Sequence, residues 1–132
     1  MVELFLEYEN ITFVACGDKT DIIVDLESMD INVRVYDYDP FFEGYTNYII
    51  KDFIFDNVKF DECVVNFNCE KTYPLGKIYK GNMILIGDND CHNGDCNPIT
   101  STQQLIEQND IKTVYKEYID GKHFIVHGTN IC

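Results

Sequence analysis

The sequence predicts a mainly β fold, a single acidic domain over residues 1–132 built as an antiparallel β-sandwich or barrel with one short helix. Three observations carry that prediction. Short segments alternate apolar and polar residues, turn-forming residues separate them, and one stretch alone opens with helix-capping spacing. The alternative is an α+β arrangement, with the helix packed over one sheet.

Taken in order, the elements are these. Val2, Leu4, Leu6 and Tyr8 fall on one face of an extended segment, and Glu3, Phe5 and Glu7 on the other. Ile11, Phe13 and Ala15 repeat the pattern, so Glu9-Asn10 reads as the two-residue turn of a hairpin with one apolar face. Gly17-Asp18-Lys19-Thr20 reads as a turn, and Asp21 to Leu26, with its β-branched residues, as a third strand. Residues 31–38 alternate cleanly, Ile31, Val33 and Val35 against Asn32, Arg34 and Tyr36, and make a strand that ends before Pro40. Further strands are expected near 49–55, 58–60, 63–69 and 82–86. The helix is expected at 101–109, where Thr100 and Gln103 have capping-box spacing ahead of Leu105 and Ile106. Segments 114–119 and 122–127 flank Asp120-Gly121, a type I′ hairpin signal. Alternation there places Ile119, Glu117, Tyr115, Phe124 and Val126 toward the core, and both His123 and His127 on the outer face.

Composition narrows the function classes. At 45% apolar and 14% aromatic the chain has a globular composition, and no apolar run approaches the roughly 20 residues that span a bilayer. The first residues lack the basic region of a signal peptide, so a reducing cytoplasm is the expected setting. The six cysteines then read as thiols, with Cys16, Cys63 and Cys69 buried as small apolar residues, and the sequon Asn10-Ile11-Thr12 stays unmodified. The net charge is −13 and unevenly placed: residues 1–62 hold 15 acids and four bases, residues 63–132 eight acids and six lysines. A field of this sign repels phosphate and anionic lipid, which argues against nucleic acid and membrane and for a basic protein partner. Solubility alone would favour the same charge. Nine lysines against a single arginine, with many Ile, Asn and Tyr, suit an AT-rich genome such as that of a large DNA virus, a phage or a low-GC bacterium.

Two segments invite chemistry. The first is Gly87-Asp-Asn-Asp-Cys-His-Asn-Gly-Asp-Cys-Asn-Pro98, a polar loop in which Cys91 and Cys96 stand at the wide end of zinc-ligand spacing with His92 between them. A zinc ion there would draw on Cys91, His92 and Cys96, with His123, or alternatively His127, contributing from the final hairpin. A local Cys91–Cys96 disulfide and an ordinary loop are the competing readings. The EF-hand pattern fails from Asp88, because His92 and Asn93 stand at its fifth and sixth positions. A phosphate-binding loop and a Gly-x-Ser-x-Gly elbow are also missing from the sequence.

The second segment is Val33-Arg-Val-Tyr-Asp37-Tyr-Asp39, which resembles the strand-to-loop signature of calcium-dependent membrane-binding β-sandwich domains. The resemblance covers about seven residues and implies calcium on Asp37 and Asp39. The further aspartate of that family, about six residues on, is Tyr45 in this chain.

The expected function is a non-enzymatic acidic binding or structural protein, without cofactor. Its forms are a viral or phage accessory protein that engages a basic host protein surface, or a virion component, in the host cytoplasm or the particle. Asp37, Asp39, Phe41, Phe42, Glu43 and Tyr45 are its expected binding residues, because aromatics beside carboxylates supply interface hot spots. Core packing is the competing role for those aromatics. The rival class is a metal-binding or thiol-dependent enzyme centred on the 87–98 loop, with Cys91 as nucleophile and His123 or His127 as base.

Overall fold

A computed structural model describes residues 2–89 and 97–132. It contains seven strands and two α-helices, about 32% strand and, with the 3-10 turns counted, 22% helix, a mixed β and α+β architecture. Internal contacts divide the chain into two compact units, Met1–Val65 and Asn66–Cys132. Neither closes into a barrel.

The first unit opens with a 3-10 turn at Val2–Phe5, followed by β1 (Asn10–Val14), α1 (Thr20–Glu27), β2 (Asn32–Asp37), β3 (Tyr48–Ile50) and β4 (Cys63–Asn66). Strand order is β3-β2-β1-β4. β1 pairs in parallel with β2, Ile11 opposite Val33 and Phe13 opposite Val35, and β2 pairs in parallel with β3. The expected antiparallel hairpin over residues 2–16 is therefore absent. Parallel neighbours need a crossover, and α1 supplies it. Four of the five β1 residues are buried, so both of its faces are covered, as parallel strands require. Phe5 and Phe13 meet in this core with ring centroids 5.8 Å apart, while Leu6 is exposed.

α1 replaces the strand expected at 21–26. The Asp18 carboxylate accepts Thr20 N (3.0 Å) and Thr20 Oγ1 (2.6 Å), which closes the turn that starts the helix. Ile23 and Leu26, three residues apart, form the buried stripe, and Asp21 and Asp25 stay exposed. The helix stops where Asp30 turns left-handed at φ 63°, with Asp30 N bonded to Glu27 O and Ile31 N to Leu26 O. Helical spacing and these end signals outweigh the β-branched composition. Of the strand expected at 49–55 only Tyr48–Ile50 forms, and residues 58–60 are not a strand.

The second unit holds β5 (Asn82–Gly87), α2 (Thr102–Gln108), β6 (Thr113–Asp120) and β7 (His123–Thr129), in the order β5-β7-β6 with both pairings antiparallel. Leu75, Met83, Ile84, Leu85, Ile99, Leu105, Ile125 and Val126 are fully buried. α2 forms where the sequence predicts it, with capping shifted by one residue: Ser101 Oγ accepts Gln104 N (3.1 Å), and Gln104 reaches back to Thr100 N (2.9 Å). It ends as α1 does, at a left-handed Asp110 (φ 55°), with Ile111 N bonded to Ile106 O. Glu27-Ser-Met-Asp-Ile31 and Glu107-Gln-Asn-Asp-Ile111 thus carry one stop signal twice, each time ahead of a strand.

The final hairpin is present, but its two-residue turn is Gly121-Lys122, one residue on from the expected Asp120-Gly121: Asp120 pairs with His123, and Gly121 takes the left-handed φ of 62°. The face assignment fails in part. β7 is covered on both sides, so His127 is buried rather than outward, and β6 is exposed along almost its whole length. The cause is position: β7 lies between β5 and β6, whereas β6 ends the order.

Candidate functional site

Because β1, β2 and β3 run parallel, their carboxyl ends emerge on one side of the first unit, where open α/β sheets place their binding loops. The loop after β1 turns through Ala15 (φ 48°) and Gly17 (φ 67°), and Asp37 at the end of β2 holds it. Asp37 is 4% exposed; its Oδ2 accepts Gly17 N and its Oδ1 accepts Asp39 N, each at 3.0 Å. Tyr48 adds a second tie: its hydroxyl donates to Gly17 O (2.7 Å) and accepts Lys19 N (2.9 Å). Burial pushes the Tyr48 phenol up, and pushes the Cys16 thiol up to about 12, so Cys16 is a protonated packing group. Beside this loop an open depression of about 390 Å³ is lined by Asp18, Lys19, Thr20, Asp21 and Ile22.

The segment after β2 carries the expected binding residues. Asp39 Oδ1 accepts Phe41 N (2.9 Å) and starts a 3-10 turn at Pro40–Phe42. Phe42 is buried, its ring 5.2 Å from Tyr48 in a stacked contact and 5.1 Å from Tyr45 edge-on. Phe41 packs against Phe42 and Tyr45 from outside, at 5.1 and 6.0 Å, and stays 69% exposed. Tyr38 is 68% exposed, and Asp39 and Glu43 are exposed beside it. The structure therefore gathers all six residues but divides their roles. Phe42 belongs to the core, Asp37 is a buried tie, and Asp39, Phe41, Glu43 and half-buried Tyr45 face outward. With both Asp37 oxygens holding backbone amides, the calcium role that the short resemblance implies meets a carboxylate already in use. That motif also lies at the end of a parallel strand rather than in an antiparallel sandwich.

In the second unit, Asp88 follows β5 and is tied to the described residues at the far end of the 87–98 segment. Asp88 O accepts Ile99 N (2.9 Å), and Glu70 O accepts Asn97 N (2.7 Å). The buried Glu70 carboxylate accepts Asp88 N (3.4 Å), and burial together with the neighbouring Asp88 charge raises its pKa. His123 Nε2 lies 3.6 Å and Lys122 Nζ 4.0 Å from Asp88 Oδ2. Of the expected zinc set, Cys91, His92 and Cys96 lie outside the described residues. Among the described residues no group of three or more His, Cys, Asp and Glu side chains is arranged to hold a metal ion. His127 instead meets the Tyr115 ring edge-on at 5.1 Å.

Sequence reasoning missed the Cys16–Gly17–Tyr48 network and Glu70. Gly17-Asp18 did mark the turn, but a tie between residues 17 and 48 has no local signature.

The charge asymmetry coincides with the division of the chain. Unit Met1–Val65 carries 15 acids against Lys19, Arg34, Lys51 and Lys59, a net −11, and unit Asn66–Cys132 a net −2. No protein-family model matches the chain, and no curated protein sequence matches it significantly.

Proposed function

We propose that the chain is a binding protein whose first unit presents carboxylates and aromatic rings to a basic protein surface. The observation that carries this reading is the exposure of Tyr38 and Phe41 on either side of Asp39, with exposed Glu43 two residues on, in the unit that holds nearly all the net charge. Exposed aromatic rings supply contact area that desolvates well, and the surrounding carboxylates steer a cationic partner and set the register. Asp37 contributes by holding the two loops, not by touching the partner. The same field disfavours nucleic acid and anionic membrane as direct partners.

The test compares the proteins retained by the wild-type chain and by a Phe41→Ala/Glu43→Lys variant, at about 0.05 and 0.5 M salt. The Debye length falls below 5 Å across that range. A partner with a basic surface, lost both on substitution and at high salt, supports the reading. Identical retention by both chains at both salt levels overturns it.

A second reading, zinc or thiol chemistry on the 87–98 loop, has one observation in its favour. Asp88 Oδ2 lies 3.6 Å from Nε2 of His123, placing a carboxylate beside the ring as carboxylates stand beside metal-ligating histidines. Metal analysis of chelator-free protein, beside a Cys91→Ser/Cys96→Ser variant, decides it: one zinc per wild-type chain and none in the variant supports the site.

A further inference from the structure

We propose that β6 is a dimerisation strand, its outer edge pairing antiparallel with β6 of a second copy of the chain. β6 ends the strand order of its unit, and among the described residues no strand pairs with its outer edge. It is also exposed on both faces: of its eight residues only Tyr118 is half-buried, and Tyr115 (52%) and Ile119 (62%) are prominent. A long exposed edge strand is an open template for another chain, and natural sheets usually blunt one.

The sequence of β6 matches itself in one register. A two-fold axis normal to the sheet lets side chains share a face only when paired residue numbers sum to an even value. Centred on Tyr118, that rule sets Tyr118 against Tyr118, Glu117 against Ile119 and Lys116 against Asp120 of the second copy. Lys116 and Asp120 then form two symmetric ion pairs flanking a tyrosine pair, on the face where Lys116 Nζ already lies 5.1 Å from the Tyr118 ring centroid. Shifting the centre by one residue either way opposes Glu117 to Glu117 or Ile119 to Ile119; both shifts separate Lys116 from Asp120, and the first adds like-charge repulsion. Asp120 and His123 flank the two-residue turn, so the alternation of the ladder directs the backbone groups of Glu117 and Ile119 outward, where this register needs them.

Two further features suit a closed dimer. A bulge between Val114 and Lys116 interrupts the ladder, which confines pairing to residues 116–120. An isologous contact then uses up the edge and stops at two chains. The strand also belongs to the unit with a net charge of only −2, so its own unit adds little like-charge repulsion to the contact. Five residues a side fall short of the roughly 1,600 Å² of a standard interface, so association belongs at micromolar to millimolar concentration.

Sedimentation equilibrium of the full chain should show the mass rising from 15.4 kDa toward twice that value as concentration increases. Lys116→Asp and Asp120→Lys should each weaken self-association about tenfold or more, since each turns two attractions into two repulsions. Mixing the two variants should restore dimers, because aspartates at 116 and 120 of one chain then meet lysines at 120 and 116 of the other. That recovery also shows that both variants are folded. A chain that stays monomeric up to about millimolar concentration overturns the proposal. So do single variants that dimerise like the wild type, or a mixture that stays monomeric.

Discussion

Asp37 tests whether the first unit's loops are held as the geometry implies. Each carboxylate oxygen takes one backbone amide at 3.0 Å, from Gly17 and from Asp39, so Asp37→Asn removes one acceptor and points an NH2 group at a donor. A hydrogen bond to a charged group contributes about 1.5–3 kcal/mol. Relief from desolvating a buried charge returns part of that, which leaves a net cost of about 2 kcal/mol for the isostere. Asp37→Ala loses both bonds, but Gly17 is only half-buried and Asp39 is exposed, so water partly replaces them and the cost is about 3 kcal/mol. Nine tyrosines and no tryptophan make tyrosine fluorescence the probe for urea unfolding. With a slope of about 1.5–2 kcal/mol/M for a chain of this size, the isostere should lower the midpoint by about 1 M. Hydrogen exchange adds a local reading: the Gly17 amide, protected in the wild type, should exchange faster in both variants. A midpoint shift under about 0.3 M for Asp37→Asn, or a Gly17 amide already unprotected in the wild type, refutes the reasoning.

Three other outcomes follow from burial. Burial raises the Glu70 pKa above its ordinary 4.5, so the stability it contributes is present below that pH and lost as pH rises through the folded-state value. Glu70→Gln should therefore gain on the wild type between about pH 4 and neutrality, read as urea midpoints, and a pH-independent difference would contradict this. Native alkylation with iodoacetamide near pH 8 should label exposed Cys132 and spare Cys16, Cys63 and Cys69, whose thiols burial holds protonated; mass spectrometry of the peptides decides it. At Gly76 an added Cβ would lie 2.5 Å from the Asn109 carbonyl carbon, so Gly76→Ala should cost about 3 kcal/mol, and an unchanged melting temperature would rule out this packing.

Where signals are local and mutually consistent, the sequence was legible. Strand 31–38, the apolar run at 82–86, helix 101–109 and the final hairpin all formed, the hairpin with its turn one residue later than expected, because alternation, capping residues and a turn glycine act within a few positions of one another. Burial of Cys16, Cys63 and Cys69 followed from thiol chemistry, and the placement of charge on the first half needed only counting. Tertiary structure decided the rest. Residues 21–26 alternate weakly and are rich in β-branched residues, so it takes the packing of Ile23 and Leu26 on the unit's core, added to the end signals at Asp18 and Asp30, to select a helix there. With that helix as the crossover, β1 and β2 run parallel, and the alternation by which both segments are recognised does not say whether neighbouring strands run parallel or antiparallel. Likewise His127, Asp37 and Phe42 are ordinary letters in their segments. Their burial depends on which strand or loop lies beside them, and a contact between residues 17 and 37, or 84 and 127, is specified by the whole fold rather than by any window of the chain.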